Sequence, residues 1–187
     1  MSQPSQFSHL PPASFGFITV VEVPSLGHCG GLLVVSNIGR PIEFHFTTPV
    51  SSNRAQEIMY GKTYPGFLCG DRIGAALVDK TKQLPTVFVT DCPDMLPVCE
   101  LIDTPLILVP ASEESQNDSD QAEPFDGRGL KHFDANGQTI YCLNASADEL
   151  ASIEYQATQF SRTLPFEEPF ERIRQAIFEA NQVLKSA

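Results

Sequence analysis

The stretch FGFITVVEVPSLGHCGGLLVVSNIGRPIEFHFTTPV, residues 15–50, decides the fold. Phe15 to Val23 is β-branched and aromatic with apolar residues at both parities, which marks an inner strand covered on both faces. Pro24 to Gly31 is rich in turn formers and reads as a connection to a second strand, Leu32 to Ser36. Asn37, Ile38 and Gly39 then close a tight turn into a third strand, Pro41 to Thr48. There Ile42, Phe44 and Phe46 share one face and Glu43, His45 and Thr47 the other, so only this strand is expected to expose a polar side. The three strands form a meander.

Working outward, Pro49 ends the third strand, and Asn53 with Gln56 three residues on starts a helix over Arg54 to Tyr60. A second helical piece, about Asp71 to Lys82, sets Ile73, Ala76, Leu77 and Lys80 on one face. Pro85 introduces a strand at Thr86 to Thr90 with Asp91 at its carboxyl end, Pro93 to Leu101 reads as a short helix, and Thr104 to Val109 is a last buried strand. From Ala111 to Asp126 the chain carries six acids and no base, the composition of a linker. Beyond it Lys131 to Phe133 and Gln138 to Leu143 flank a turn at Asn136 and Gly137. Ser146 and Glu149 form a capping box ahead of a helix through Leu150, Ile153, Ala157 and Phe160, and Pro169 sits in the first turn of a final helix striped by Phe170, Ile173, Ile177 and Leu184. The expected class is α/β: a mixed five-stranded sheet, then a hairpin and two helices. Its parts are a flexible start over 1–14, a sheet domain over 15–110, an acidic linker over 111–130, and residues 131–187 docking on the sheet.

The 187 residues hold enough chain for one substantial core, and 42% apolar content with a mean hydropathy of -0.09 fits a globular protein without a membrane partner. Met1 to Pro12 is polar and lacks the basic and apolar regions of a secretory leader, so a cytoplasmic location is expected. Five cysteines, an odd number widely spaced among apolar neighbours, read as reduced thiols of a core. Twelve basic against 23 acidic residues give a net charge of -11, which disfavours nucleic acid and suits a protein partner or small ligand.

The order of three meandering strands, helix, strand, short helix and strand resembles the ribonuclease H-like fold. The resemblance implies acids on the first strand, the first helix and the end of the fourth strand that hold Mg or Mn for phosphoryl transfer. The matching positions are Glu22, Glu57 and Asp91. Two departures stand against it: Glu22 lies almost at its strand end where such nucleases usually carry Asp, and no basic substrate-binding helix follows. The alternative is that Glu22 and Glu57 face solvent and Asp91 caps the short helix.

Other candidates are weaker than their structural explanations. The glycines of Ser25 to Gly31 could cradle a phosphate, as in actin-like nucleotide-binding relatives, but match those loops poorly. His28 and Cys29 are adjacent in an extended segment and should face opposite ways. Cys92 and Cys99 are spaced too far apart for a zinc knuckle, and Asp91 and Asp94 should raise the Cys92 pKa. His45 with Glu43 is a possible acid–base pair, though an exposed strand pair is commoner. The segments Thr47 to Gly61 and Pro165 to Ala180 resemble an uncharacterised bacterial family without assigned activity. With no motif that forces chemistry, the expectation is a noncatalytic binding or accessory protein needing no cofactor. Its rival is a metal-dependent nuclease or phosphatase-like enzyme using Glu22, Glu57 and Asp91.

Overall fold

The computed structural model describes residues 13–110 and 130–185. The acidic linker expected over 111–130 and the flexible start over 1–14 fall almost wholly outside them. Among the described residues seven strands form one mixed sheet: β1 (Ser14–Val23), β2 (Gly27–Ser36), β3 (Pro41–Phe46), β4 (Val87–Thr90), β5 (Leu106–Leu108), β6 (Lys131–Ala135) and β7 (Gln138–Leu143), in the order β3-β2-β1-β4-β5-β7-β6. β1 pairs antiparallel with β2 and parallel with β4, and β5 continues the parallel set. The expected count of five is corrected because β7 pairs with β5, Ile107 opposite Cys142, and the hairpin extends the same sheet. Asn136 and Gly137 turn that hairpin with φ of 59° and 86°, the left-handed geometry a two-residue connection requires.

A second correction concerns the Gly-rich stretch. The turn is only three residues long, and His28, Cys29, Gly30 and Gly31 already belong to β2. Gly30 and Gly31 serve close approach. A Cβ on Gly30 would stand 2.1 Å from Ile73 Cγ2 on one face of the sheet, and one on Gly31 would stand 2.2 Å from Ile173 Cγ2 on the other. Paired glycines in a strand thus let a helix settle on each face.

On one face lies a helical run: α1 (Arg54–Tyr60), a 3-10 turn, α2 (Tyr64–Gly66), a π-helical segment Phe67–Gly74, and α3 (Ala75–Lys80). With the 3-10 helix Pro93–Glu100 it covers Ile18, Leu32, Phe88 and Leu106. On the other face α4 (Ala147–Thr163) and α5 (Glu167–Lys185) bury Phe15, Phe17, Val87, Val89 and Ile107. The capping box of Ser146 and Glu149 opens α4 as expected. Edge strand β3 reverses the expected pattern. Ile42, Phe44 and Phe46 are exposed, because α5 covers β2 but does not reach the edge, while Glu43 is held down by the Lys82 and Gln83 amides.

Candidate functional site

Parity along β1 sorts its side chains: Phe15, Phe17 and Val21 face α4 and α5, whereas Ile18 and Val20 face the helical run. Thr19 therefore points to the α5 side, 1% exposed, a polar group among aromatics. The β1–β4 register, Phe17 opposite Val89, carried two residues further sets Thr19 opposite Asp91. The Thr19 hydroxyl donates to Asp91 Oδ1 at 2.6 Å, and Arg174 of α5 donates from Nη2 to Asp91 Oδ2. The Asp91 side chain is 16% exposed and that of Arg174 41%, so the carboxylate lies below a guanidinium that still reaches solvent. Arg174 Cζ lies 6.0 Å from the Phe170 ring centroid, and Nη1 lies 3.9 Å from Glu171 Oε2. The cluster Thr19, Asp91 and Arg174 is the candidate centre.

Of the three carboxylates expected together, only Asp91 is here. Glu22 shares the parity of Ile18 and Val20, on the opposite face, and is exposed at the end of β1 beside His28. Glu57 pairs with Arg54 within α1 at 3.2 Å, on a helix that buries no residue. Among the described residues, those around Asp91 do not fit a two-metal centre. Both Asp91 oxygens are engaged, one by a fixed cation, and among the described residues no three His, Cys, Asp or Glu side chains are grouped to hold a metal. The strand position that faces Asp91 carries Thr19, a neutral hydroxyl. Sequence reasoning passed over Thr19 and Arg174. One signal was available for Thr19, the single polar residue before Glu22 in the inner strand and on the parity of Phe15 and Phe17.

Cys92 follows Asp91 directly, and its expected raised pKa is corrected. Its thiol pKa is lowered, first by a hydrogen bond from Cys69 and against burial and the charges of Asp94 and Asp91. The Cys69 pKa is raised by its interaction with Cys92 and by burial. His28 and Cys29 face opposite ways as expected, Cys29 accepting from Asn181 on the α5 side at 3.8 Å. Glu43 and His45 meet at 2.5 Å, but the carboxylate also takes the Lys82 and Gln83 amides, which makes the pair a clamp on the chain after α3. A surface cavity of about 310 Å³ lies between the start of β1 and α4 beside Ala13, Gln156 and Phe160, at the other end of β1 from Asp91.

No protein-family model matches the chain, and no curated protein matches it. Among solved structures the chain is similar to the catalytic domain of human Endonuclease V, with a TM-score of 0.55 at 13% identity over 95% of this chain and 87% of that one. Endonuclease V of Ciona intestinalis, solved with a DNA containing inosine followed by a ribo-adenosine, has a TM-score of 0.47 at 12% identity over 96% of this chain and 91% of that one. At such identity the first likeness is one of fold, and it accords with the ribonuclease H-like order of elements. None of these structures bears on the resemblance to a bacterial family. The expectation of a noncatalytic protein, with nucleic acid disfavoured, is corrected by this finding, since the fold is that of a nuclease's catalytic domain. Six of the 23 acids fall in residues 111–126 with no base, leaving 12 bases against 17 acids elsewhere.

Proposed function

We propose that this chain acts on nucleic acid as a phosphodiester-cleaving enzyme centred on Asp91, with Arg174 as its resident cation. What carries the reading is the likeness to the Endonuclease V catalytic domain along 95% of the chain. The cluster supports it: a carboxylate at the carboxyl end of β4, tied to β1 by Thr19, aims a guanidinium whose other N–H groups remain at the rim. A guanidinium presents a planar fork of donors suited to phosphate oxygens and keeps its charge at any ordinary pH. In cleavage it stabilises the charge that builds on the phosphoryl oxygens as water attacks phosphorus and the sugar oxygen leaves. Asp91 and Thr19 hold the guanidinium at that position, and no step is assigned to a metal.

The test incubates the full chain with single- and double-stranded DNA and RNA, with and without inosine, in Mg²⁺, in Mn²⁺ and with a chelator. At least one substrate should be cut. Asp91→Asn and Arg174→Met should each lower the rate at least 10²-fold, the scale of losing one electrostatic stabiliser, while Glu22→Gln and Glu57→Gln leave it unchanged. A parent chain that cuts none of these substrates in any buffer overturns the reading. Loss of cutting in Glu22→Gln and Glu57→Gln would instead restore the three-carboxylate centre.

A further inference from the structure

Strand β3 ends the sheet on one side, and among the described residues no strand pairs with its outer edge. Along an antiparallel strand the backbone groups of successive residues point alternately to one neighbour and the other. The Thr47 amide donates to the Gly30 carbonyl of β2 at 2.9 Å, so His45 and Glu43 also turn inward, while Phe44 and Phe46 turn their amides and carbonyls outward. Opposite Leu33 and Gly31 of β2, Phe44 and Phe46 stand on the α5 face. With Ile42 they are bare: exposures are 43% at Ile42, 37% at Phe44 and 41% at Phe46, and the two rings lie 5.9 Å apart. Sheet edges are commonly blunted by charge or proline. The opposite edge, β6, follows that rule, exposing His132 and Asp134 and burying Phe133 and Ala135. On β3 the blunting is confined to the ends, at Pro41 beside the register shift and at Pro49 beyond the strand.

We propose that β3 is a self-association strand: a second copy of this chain pairs with it antiparallel, about a two-fold axis at Phe44. The backbone parity fits, since the outward amide and carbonyl of Phe44 meet the carbonyl and amide of Phe44 in the second copy. On the α5 face the Phe44 rings meet at the axis, and Phe46 of each copy stands opposite Ile42 of the other. On the other face Glu43 of each copy stands opposite His45 of the other, so acid faces base twice. Charge also fixes the register. Sliding the pair by two residues sets His45 against His45 in one direction and Glu43 against Glu43 in the other. Only a strand of this same sequence brings both the apolar trio and the two acid–base pairs, which is why the occupant is a second copy and not an unrelated strand. Pairing uses up the free β3 edge of both copies, so the association closes at two. The axis stands perpendicular to the sheet, and both α5 helices therefore lie on one face of the joined sheet. The pairing rests on the edge geometry and not on any reading of Asp91.

The test measures the mass of the full chain in solution by sedimentation equilibrium over a wide range of concentration. The parent should pass from one chain to two and no further. Phe44→Lys and Phe44→Glu each set like charges against one another at the axis and should each sediment as a single chain, while Phe44→Leu should still pair. Because residue 44 is exposed, both charged variants should keep the circular dichroism and melting profile of a folded chain. Mixed in equal amounts they should pair again, Lys against Glu, since only copies that meet at residue 44 can cancel the two charges. A parent that stays a single chain at every concentration overturns the proposal, and so does a dimer that survives Phe44→Lys or a mixture that fails to pair. A parent that pairs only after residues 1–12 are removed overturns it too, by assigning the edge to the chain's own start. Cleavage of nucleic acid is not needed for any of these readings, so failure of the enzymatic assignment and failure of the pairing are told apart.

Discussion

At the scale of single residues, two features of the fold carry distinct expectations. Gly31→Ala would press a methyl against Ile173, whose Cγ2 leaves only 2.2 Å, and overpacking of this kind costs about 1–3 kcal/mol. The midpoint of urea unfolding should fall accordingly; an unchanged midpoint would mean that α5 shifts freely on β2. Glu43 concerns pH. The His45 bond, then the Lys82 and Gln83 amides, hold its carboxyl at about 2, below the ordinary 4.5. A lowered folded value contributes stability that is complete above the unfolded value and is lost as pH falls from about 4.5 to about 2. Stability of the parent should therefore drop more steeply than that of Glu43→Gln across that window, and parallel curves would disprove the clamp. Neither role was legible in the letters. Gly30 and Gly31 look like a turn because a glycine's need for close approach is visible only once the helices on both faces are known. Glu43 looked solvent-facing because its amide partners lie some forty residues away.

Helices show the opposite balance, since their signals are local. The capping box of Ser146 and Glu149 and the start at Asn53 stand where the sequence puts them, because each satisfies orphan amides within one turn. The stripe of α5 is equally legible: Phe170, Ile173 and Ile177 are all buried. Ile173→Ala should cost about 2–5 kcal/mol, the range for emptying a core site, read by chemical unfolding. A smaller loss, within experimental error of zero, would show that α5 does not hold the sheet. The π-helical segment Phe67–Gly74 was hidden. Its bond from the Ala75 amide to the Gly70 carbonyl inserts an extra residue into an otherwise helical spacing, and period-counting reads through that insertion. Arg174 was hidden for another reason. One residue past Ile173, it looks like any solvated charge until the β1–β4 register places Asp91 beneath it.

Over the whole molecule, the order of the first five strands follows from punctuation, but the extent of the sheet does not. A hairpin of five and six residues can stand apart or add to an edge, and which occurs depends on whether β5 has a free edge with matching apolar partners. Here Leu106, Ile107 and Leu108 meet Leu143, Cys142 and Tyr141. The candidate centre is likewise a product of the whole chain, since Asp91 and Arg174 are 83 residues apart. This interdependence bears on the division at residue 110. A fragment ending there loses β6, β7, α4 and α5, bares the β5 edge, and uncovers Phe15, Phe17, Val87, Val89 and Ile107 together. Each of these side chains is worth roughly 1.5–3 kcal/mol when covered, against a typical total stability of about 5–15 kcal/mol. Residues 1–110 alone should therefore lack a cooperative thermal transition and bind a hydrophobic dye, while the full chain unfolds in one step by far-ultraviolet and near-ultraviolet circular dichroism. A fragment that melts sharply near the parent temperature would establish residues 15–110 as a self-standing domain. The C-terminal helices would then matter for Arg174 alone, and removing them should abolish cleavage while leaving the rest of the fold intact.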